Sequence, residues 1–210
     1  MSAIITIAQQ KGGAGKTTLA VQLATAMRQA GKTVAVVDID PQASRTQAVR
    51  LREHEARDAA ELRFSMVGGW RLGVELDRLK RDVERIVVDS PPHAESDAKG
   101  AIKAADLVLV PCQPSPLDIW ASKSTLDIAV NDGKRAALVL NRVPPRGRSF
   151  DEALQSIAER GYEALSARLG NRQAFIASLG RGLGVVESEP RSAAALEVQA
   201  LLDEVEALLR

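Results

Sequence analysis

The chain has little of several features that define common classes of protein. Only one of its 210 residues, Cys112, is a cysteine, which excludes an internal disulfide and a metal cage built from several thiolates. No apolar run approaches the ~18 residues of a membrane span, and no charged-then-apolar leader precedes the first apolar run. We therefore expect a cytoplasmic protein. The net charge is only +1, so any binding of nucleic acid must come from a local patch.

What the chain does contain is typical of a soluble globular protein. Hydrophobic residues make up 45% and charged residues 26% of the sequence. A chain of 210 residues can bury a good core without disulfides or metals. We find no internal repeat and expect one domain that spans residues 1–210.

The most informative stretch is AQQKGGAGKTTLA, residues 8–20. An apolar run at residues 4–8 predicts a buried strand, followed by a glycine-rich turn and a helix that begins near Thr17. Glycines let backbone N–H groups close around a phosphate, and the helix N-terminus adds positive potential. We therefore predict a nucleotide site in which Lys16 reaches the β- and γ-phosphates and the Thr17 hydroxyl binds Mg²⁺.

Two further apolar runs end in acidic residues. Residues 33–37 lead into Asp38 and Asp40, and the run 85–89 ends at Asp89. Carboxylates at the carboxyl ends of parallel strands lie where open α/β sheets bind ligands, although Asp38 and Asp40 also fit a simple turn. With further apolar runs at 107–111 and 136–140, the pattern predicts an α/β fold with a mostly parallel central sheet flanked by helices.

The glycine-rich loop departs from the usual pattern, because Gln10 stands where a glycine is expected and Lys11 precedes the glycine pair. In this form, KGGxGKTT, it resembles the deviant P-loop of the ParA/MinD family of dimerising ATPases. DxDPQ at 38–42 and DSPP at 89–92 resemble that family's two switch loops. VPCQPSPLDIWAS, residues 110–122, is similar to a segment of small plasmid-partition ATPases of the ParF type.

The resemblance implies a P-loop NTPase fold of the ParA/MinD type, with ATP and Mg²⁺ as cofactors. It implies that Lys11 reaches across a dimer interface to the partner's nucleotide and that Asp40 orients the attacking water. Asp38 and Asp89 would lie on the metal side. The residues expected to cradle the phosphates are Gly12, Gly13, Ala14, Gly15, Lys16, Thr17 and Thr18.

The resemblance also implies where the base of the nucleotide binds. Asn141, directly after the strand 136–140, would hydrogen-bond the adenine ring, and Pro190 would border the adenine pocket. A simple turn asparagine would fit the sequence around residue 141 as well.

A weak excess of positive charge lies in the C-terminal third of the chain. Residues 134–191 contain ten basic and six acidic residues, a net charge of +4, which a solvated face would also give. The resemblance implies that the ATP-bound dimer binds DNA without sequence preference and so associates with the nucleoid. The candidate contacts are Arg146, Arg148, Arg172 and Arg181.

The function implied by the resemblance is a slow, dimerising ATPase switch. It would partition or position a plasmid, a chromosome or a protein cargo through an adaptor, such as a centromere-binding protein, that stimulates hydrolysis. We expect no membrane tether, because the C-terminal helix is acidic. The alternative is an ATP-dependent metabolic ligase similar to dethiobiotin synthetase, against which Lys11 and the DxDPQ segment argue.

Several local expectations complete the description. Residues 44–63 and 149–169 are predicted to be helices, and residues 185–187 a short strand. Trp70 is expected to anchor the helix that follows it. Trp120 fits either an interface or the core, and we expect the core.

Overall fold

A computed structural model describes residues 2–39, 62–91, 95–146 and 148–210. In this part of the chain seven strands form one sheet in the order β3-β2-β4-β1-β5-β6-β7, and each neighbouring pair is parallel. The strands are β1 (Ala3–Ile7), β2 (Val34–Asp38), β3 (Arg63–Met66), β4 (Arg85–Asp89), β5 (Leu107–Cys112), β6 (Arg135–Val143) and β7 (Ala164–Gly170). The predicted fold class is confirmed.

Helices cover both faces of the sheet. They are α1 (Lys16–Gln29), α2 (Leu72–Leu79), α3 (Glu95–Ala104), α4 (Pro116–Asn131), α5 (Ser149–Glu159), α6 (Gln173–Gly180), α7 (Val185–Ser188) and α8 (Ala193–Leu208). On β1, Ile5 and Ile7 pack in the core that contains α1 and α8, whereas Ile4 packs in the core that contains α2. Because central strands are buried on both faces, their sequences are continuous apolar runs without alternation.

The predicted helix over 149–169 is wrong in its second half. The helix ends at Glu159, Gly161 follows with a φ of 69°, and Ala164–Gly170 forms the edge strand β7. Glycine adopts that left-handed conformation readily, so it ends the helix here. Burial alternates along β7, as expected of an edge strand with one face on the core.

The predicted strand at 185–187 is also wrong, because Val185–Ser188 is one turn of helix. Two side chains stabilise the helical turn, one from outside it and one from within it. The buried Gln22 accepts a hydrogen bond from the backbone N of Val185 at 2.7 Å, and Glu187 accepts one from the backbone N of Gly184 at 2.8 Å. Tertiary contact therefore overrides the strand preference of the two valines.

Neither tryptophan lies in the core. Trp70 is 85% exposed, with the guanidinium of Arg71 over its ring. The prediction that it anchors the next helix is therefore wrong. Trp120 is 56% exposed on α4, which contradicts the core assignment.

The predicted helix at 44–63 lies mostly outside the described residues, and its last residue, Arg63, begins β3. None of the described helices is both long and apolar enough to cross a lipid bilayer.

The strand order places a ligand crevice at β1. This strand lies between β4 and β5, so the path of the chain changes from one side of β1 to the other after β4. In open α/β sheets, ligands bind outside the carboxyl ends of the strands at such a point. The loop that follows β1 is the glycine-rich segment.

Candidate functional site: a P-loop with two acid-tipped strands

The glycine-rich loop runs from the end of β1 to α1, which begins at Lys16. Gly13 and Gly15 have φ values of 75° and 92°, in the left-handed region that favours glycine. The first turn of α1 contains no acidic residue, and Lys16 is buried. A tight glycine turn that leads straight into a helix N-terminus with a lysine is an arrangement that binds phosphate.

The two strands that end in aspartate, β2 and β4, end level with this loop. In the register of the sheet, Asp89 pairs with Ile7 of β1 on one side and with Asp38 of β2 on the other. The Thr17 hydroxyl donates to Oδ2 of Asp89 at 2.8 Å. Both carboxylates are buried. The structure thus brings together the three residues that the sequence predicted for the metal side.

The donors of this cluster fit Mg²⁺. A hydroxyl and two carboxylates are hard oxygen ligands, which Mg²⁺ prefers, and it commonly takes one or two carboxylates together with substrate phosphates. When bound, Mg²⁺ neutralises negative charge that develops on the phosphates. Among the described residues, no group of three or more His, Cys, Asp or Glu side chains has the geometry of a metal site. Asp40, the predicted water-orienting residue, lies outside the described residues.

A cleft of about 440 Å³ continues from the P-loop towards α6. Its lining includes Gly15, Thr18, Asn141, Arg142, Phe175 and Ile176. A volume of this size with both polar groups and aromatic surface suits a small-molecule ligand. The cleft begins at the phosphate loop, so it lies where the base and sugar of a nucleotide would extend.

Asn141 joins this cleft to the P-loop. Its Nδ2 donates to the backbone O of Ala14 at 2.9 Å, and its Oδ1 accepts from the backbone N of Arg142 at 2.8 Å. The fit against Gly15 is tight, since a Cβ there would lie 2.3 Å from Nδ2 of Asn141. The asparagine is therefore a structural part of the site. Pro190 lies in an exposed turn before α8, outside the lining of this cleft.

Arg142 is a cleft residue that the sequence did not reveal. Its φ of 54° is unusual for a residue other than glycine, and the register of β6 against β7 shifts between Leu140 and Val143. A bulge of this kind re-aims side chains near binding sites. No local sequence pattern predicts it.

Lys11 has a partner in its own chain that the sequence analysis missed. Its Nζ donates to Oδ2 of Asp118, in the first turn of α4, at 2.8 Å. The signal that could have located Asp118 is Ser115-Pro116 before it, because serine is a favoured N-cap and proline a favoured first helical residue.

The four arginines proposed for DNA differ in their surroundings. Arg146, Arg148 and Arg181 are exposed. Arg172 donates to both carboxylate oxygens of Glu197, with a shortest distance of 2.6 Å. The structure therefore does not bring the four together as equivalent surface charges.

Beside them lies an arginine that the sequence analysis did not select. Arg146 and Arg172 line a groove of about 390 Å³ together with Arg168, whose guanidinium lies 4.1 Å from the centre of the Phe150 ring. The acidic residues Asp151 and Glu197 also line this groove, so its charge is mixed. Its polarity is that of a solvated surface with a modest excess of positive charge.

Cys112 is a packed residue, as predicted. It is fully buried, and burial raises the pKa of its thiol to about 11. The thiol is therefore protonated at neutral pH and is a poor nucleophile.

The sheet is parallel, and the glycine-rich phosphate loop lies at its topological switch point. Two buried acids end level with that loop. This arrangement defines a P-loop nucleotide-binding protein. A model of the CobQ/CobB/MinD/ParA nucleotide binding domain matches residues 5–185. The chain belongs to this family, which confirms the resemblance drawn from its motifs.

Several relatives match most of the chain. "Maintenance of carboxysome distribution protein A" of Halothiobacillus neapolitanus is 31% identical over 209 residues, 96% of this chain and 95% of that protein. "Protein ParA" of Rhizobium radiobacter is 30% identical and covers 83% of this chain and 81% of its own. Among solved structures, a Cyanothece McdA–ATP complex has a TM-score of 0.79 at 18% identity, covering 99% of this chain and 96% of that one. That likeness concerns the fold alone.

Proposed function

We propose that this chain is an ATP-dependent dimerising ATPase that binds DNA without sequence preference and positions a cargo through an adaptor that stimulates hydrolysis. The observation that carries the proposal is the meeting of Thr17, Asp38 and Asp89 beside the P-loop. This arrangement supports hydrolysis of a nucleoside triphosphate with Mg²⁺. Membership of the family adds support for ATP as the nucleotide.

The chain's own residues act mainly by position and charge. Lys16 neutralises the β- and γ-phosphates, and the loop residues 12–18 hold them through backbone N–H groups. Thr17, with Asp89 and Asp38, supplies oxygen ligands on the metal side. Asp40 orients the attacking water.

The base end of the site fixes the nucleotide. Asn141 lies between the P-loop and the cleft, so the adenine ring can meet the same side chain that anchors Ala14. Because Asn141 would contact both the adenine and Ala14, the position of the phosphate loop would depend on how the base is held.

Dimerisation brings Lys11 to the nucleotide of the partner, where a cation supplied in trans stabilises negative charge that develops during hydrolysis. Two exposed apolar side chains of α4 support an interface on this side of the molecule. Leu117 is 67% and Trp120 56% exposed, and both lie in the first turns of the helix that contacts Lys11. Aromatic residues of this kind often anchor interfaces.

DNA and cargo belong to the finer part of the proposal. The exposed arginines Arg146, Arg148 and Arg181 would contact phosphates, and Arg172 would add less because it is paired with Glu197. In this state the protein would be associated with the nucleoid. The name of the Halothiobacillus relative supports a cargo of the carboxysome kind, and the resemblance of the motifs to partition ATPases supports a plasmid or a chromosome.

A metabolic ligase is the second candidate and is less well supported. The family description includes CobQ and CobB beside MinD and ParA, so the family model alone does not separate the two classes. The Halothiobacillus and Rhizobium relatives are named as a carboxysome distribution protein and as ParA, and neither is named as a ligase. Lys11 before the glycine pair also favours the dimerising ATPases.

The test combines light scattering with an ATPase assay, with and without DNA. We expect the wild type to dimerise with Mg-ATP and to hydrolyse it slowly. Lys11→Ala should stay single and should lose stimulated hydrolysis. Lys32→Ala is the matched control, because Lys32 is a surface lysine that pairs with Glu84 away from the P-loop. Normal dimerisation of Lys11→Ala, or hydrolysis only with a carboxylate co-substrate, would contradict the proposal.

A further inference from the structure

One face of α1 is polar although it is packed inside the protein. Gln22, Thr25 and Gln29 follow one another at spacings of three and four residues, so they lie on the same side of the helix. Gln22 and Thr25 are fully buried. A buried polar group destabilises a protein unless it is hydrogen-bonded, so the partners of these side chains show what this face holds in place.

Gln22 bonds α1 to a segment far along the chain. Its Nε2 donates to the hydroxyl of Ser178 in α6 at 3.1 Å, across 156 positions. Its Oε1 accepts from the backbone N of Val185, the first residue of α7, at 2.7 Å. Ser178 is itself buried and donates to the backbone O of Phe175 at 3.2 Å. Both ends of one buried amide therefore bond to the segment that forms α6 and α7.

The rest of this face fits the same segment closely. Gln29 donates from Nε2 to the backbone O of Val186 in α7 at 3.2 Å. Gly184 packs against Thr25, because a Cβ at residue 184 would overlap the threonine side chain. Closely packed interiors transmit displacements from one element to the next. The segment therefore cannot shift relative to α1 without disturbing these contacts.

The two helices that Gln22 joins also form walls of the nucleotide cleft. Thr18, one turn before Gln22 on α1, lines the cleft beside the phosphate loop. On α6, Phe175 and Ile176 line it, and Ile176 is 67% exposed. An exposed apolar side chain in a cleft with polar groups suits the flat face of a nucleobase. The bond between Gln22 and Ser178 therefore sets the position of this apolar wall relative to the phosphate loop.

We propose that Gln22 is a positioning residue for nucleotide binding, which holds α6 so that Ile176 packs against the base of a nucleotide whose phosphates lie in the P-loop. This inference rests on the proposed function, because it concerns the same nucleotide site. Gln22 is buried between the helices, so it acts through Ser178 and α6 and not by contact with the nucleotide. The affinity for the base should therefore depend on Gln22, whereas the affinity for the phosphates should not.

The test compares a ligand that has a base with one that lacks it. Isothermal titration with Mg-ADP and with Mg-pyrophosphate gives two dissociation constants, and their ratio measures what the nucleoside adds to the affinity. Neither ligand has a γ-phosphate, so the ratio depends neither on hydrolysis nor on the dimer proposed with ATP. A general loss of folded protein would weaken the binding of both ligands and leave the ratio unchanged.

Two variants remove the link between the helices. Gln22→Met keeps the length of the side chain and removes both hydrogen bonds. We expect it to bind Mg-ADP about tenfold more weakly than the wild type and Mg-pyrophosphate equally well. Ser178→Ala removes only the bond to α6 and should give a smaller loss in the same direction. The double variant should lose no more than Gln22→Met alone, because the two substitutions remove the same bond.

A third variant tests the apolar wall directly. Ile176 is exposed, so Ile176→Ser should keep a thermal midpoint close to that of the wild type while its affinity for Mg-ADP falls several-fold. The matched control is Gln29→Met, which removes a hydrogen bond from the same face of α1 to α7 and none to α6. The control should lower the thermal midpoint and leave the ratio of dissociation constants unchanged.

The outcomes distinguish this inference from the proposed function. A wild type that binds neither ligand overturns both. A wild type that binds Mg-ADP but neither dimerises with Mg-ATP nor hydrolyses it overturns the proposed function alone. The role of Gln22 alone is overturned by a wild type that binds the two ligands equally well, or by a wild-type ratio in folded Gln22→Met. Where Gln22→Met does not fold, a wild-type ratio in Ser178→Ala overturns it. An equal change of the ratio in Gln29→Met would also contradict it.

Discussion

At the P-loop, one ammonium contacts one oxygen of Asp118, whereas at the far edge of the sheet the guanidinium of Arg172 contacts both oxygens of Glu197. Glu197 also accepts from the backbone N of Gly170 in β7 at 2.9 Å. Lysine is a point charge on a flexible stem, while a guanidinium matches a carboxylate in two places at once. The first pair is a single contact from a solvent-exposed lysine, whereas Glu197, which accepts from both Arg172 and Gly170, fixes α8 to the end of β7.

The last helix repeats this structural use of charge. Glu204 accepts from the backbone N of Ser166 at 2.8 Å and from that of Ala167 at 2.7 Å, so carboxylates of α8 satisfy the open edge of β7. Arg85 makes two parallel hydrogen bonds to Glu206, at 2.8 and 2.6 Å. Charges near the P-loop therefore concern binding, and charges on α8 concern stability.

The largest effect should come from a change at the P-loop. Gly15→Ala places a Cβ within 2.3 Å of the anchored Asn141 and at a φ of 92°. Strain of about 2–3 kcal/mol should lower ATP affinity about 100-fold, measured by isothermal titration. Gly31→Ala is the control, because its φ of 84° gives strain with no atom within 4 Å. Equal ATP affinity in the two variants would contradict the role given to Asn141.

A change on α8 should do the reverse. Glu197→Ala removes the pair with Arg172 and the acceptor for Gly170, so the free energy of unfolding should fall by about 2 kcal/mol in urea denaturation. ATP affinity should not change. Asp203→Ala on the same helix removes an acceptor for the exposed side chain of Gln199 and should cost much less. A loss of ATP affinity in Glu197→Ala would break the division between the two regions.

Substitution of Arg146 should affect mainly DNA binding, whereas substitution of Arg172 should affect mainly stability. Arg146→Ala should reduce the log–log salt slope of DNA affinity by about 0.9, as expected when one phosphate contact is lost. Arg172→Ala should change the slope less and stability more, because Arg172 is paired with Glu197. Fluorescence anisotropy over a salt series gives both slopes. Equal slopes would show that the pair with Glu197 opens on DNA.

The smallest expected effect is a pH dependence of stability. The hydrogen bonds from Arg85 lower the pKa of Glu206 below its ordinary value of 4.5. A lowered pKa means that the stabilisation is complete above that ordinary value and is lost as the pH falls through the lower, folded-state value. At pH 7 the free energy of unfolding of the wild type should exceed that of Glu206→Gln by about 1 kcal/mol. That difference should shrink below about pH 4.5, and a constant difference would contradict the ion pair.

The two regions also differ in how well the sequence predicted them. The strands around the P-loop are continuous apolar runs that end in Asp or in the glycine turn, and the predicted bounds agree within about one residue. The acids Asp38 and Asp89 follow from this pattern, because parallel strands end on one side of the sheet.

The C-terminal third was harder because its structure is set by distant contacts. Strand β7 is half-buried and short, and the amphipathic pattern over 149–169 predicts one continuous helix there, although Gly161 gives a local stop signal. The turn at Val185 depends on Gln22, and the partner of Lys11 lies 107 residues away. No local propensity encodes pairs at such separations.

The most direct test is the distance between Nζ of Lys11 and Oδ2 of Asp118 in a crystal structure with Mg²⁺ and a non-hydrolysable ATP analogue. Within one chain this distance is 2.8 Å. The account predicts a dimer in which the pair is broken and each Lys11 contacts the partner's phosphates. A nucleotide-bound chain in which Lys11 still contacts Asp118, with no lysine from a second copy at its phosphates, would contradict it.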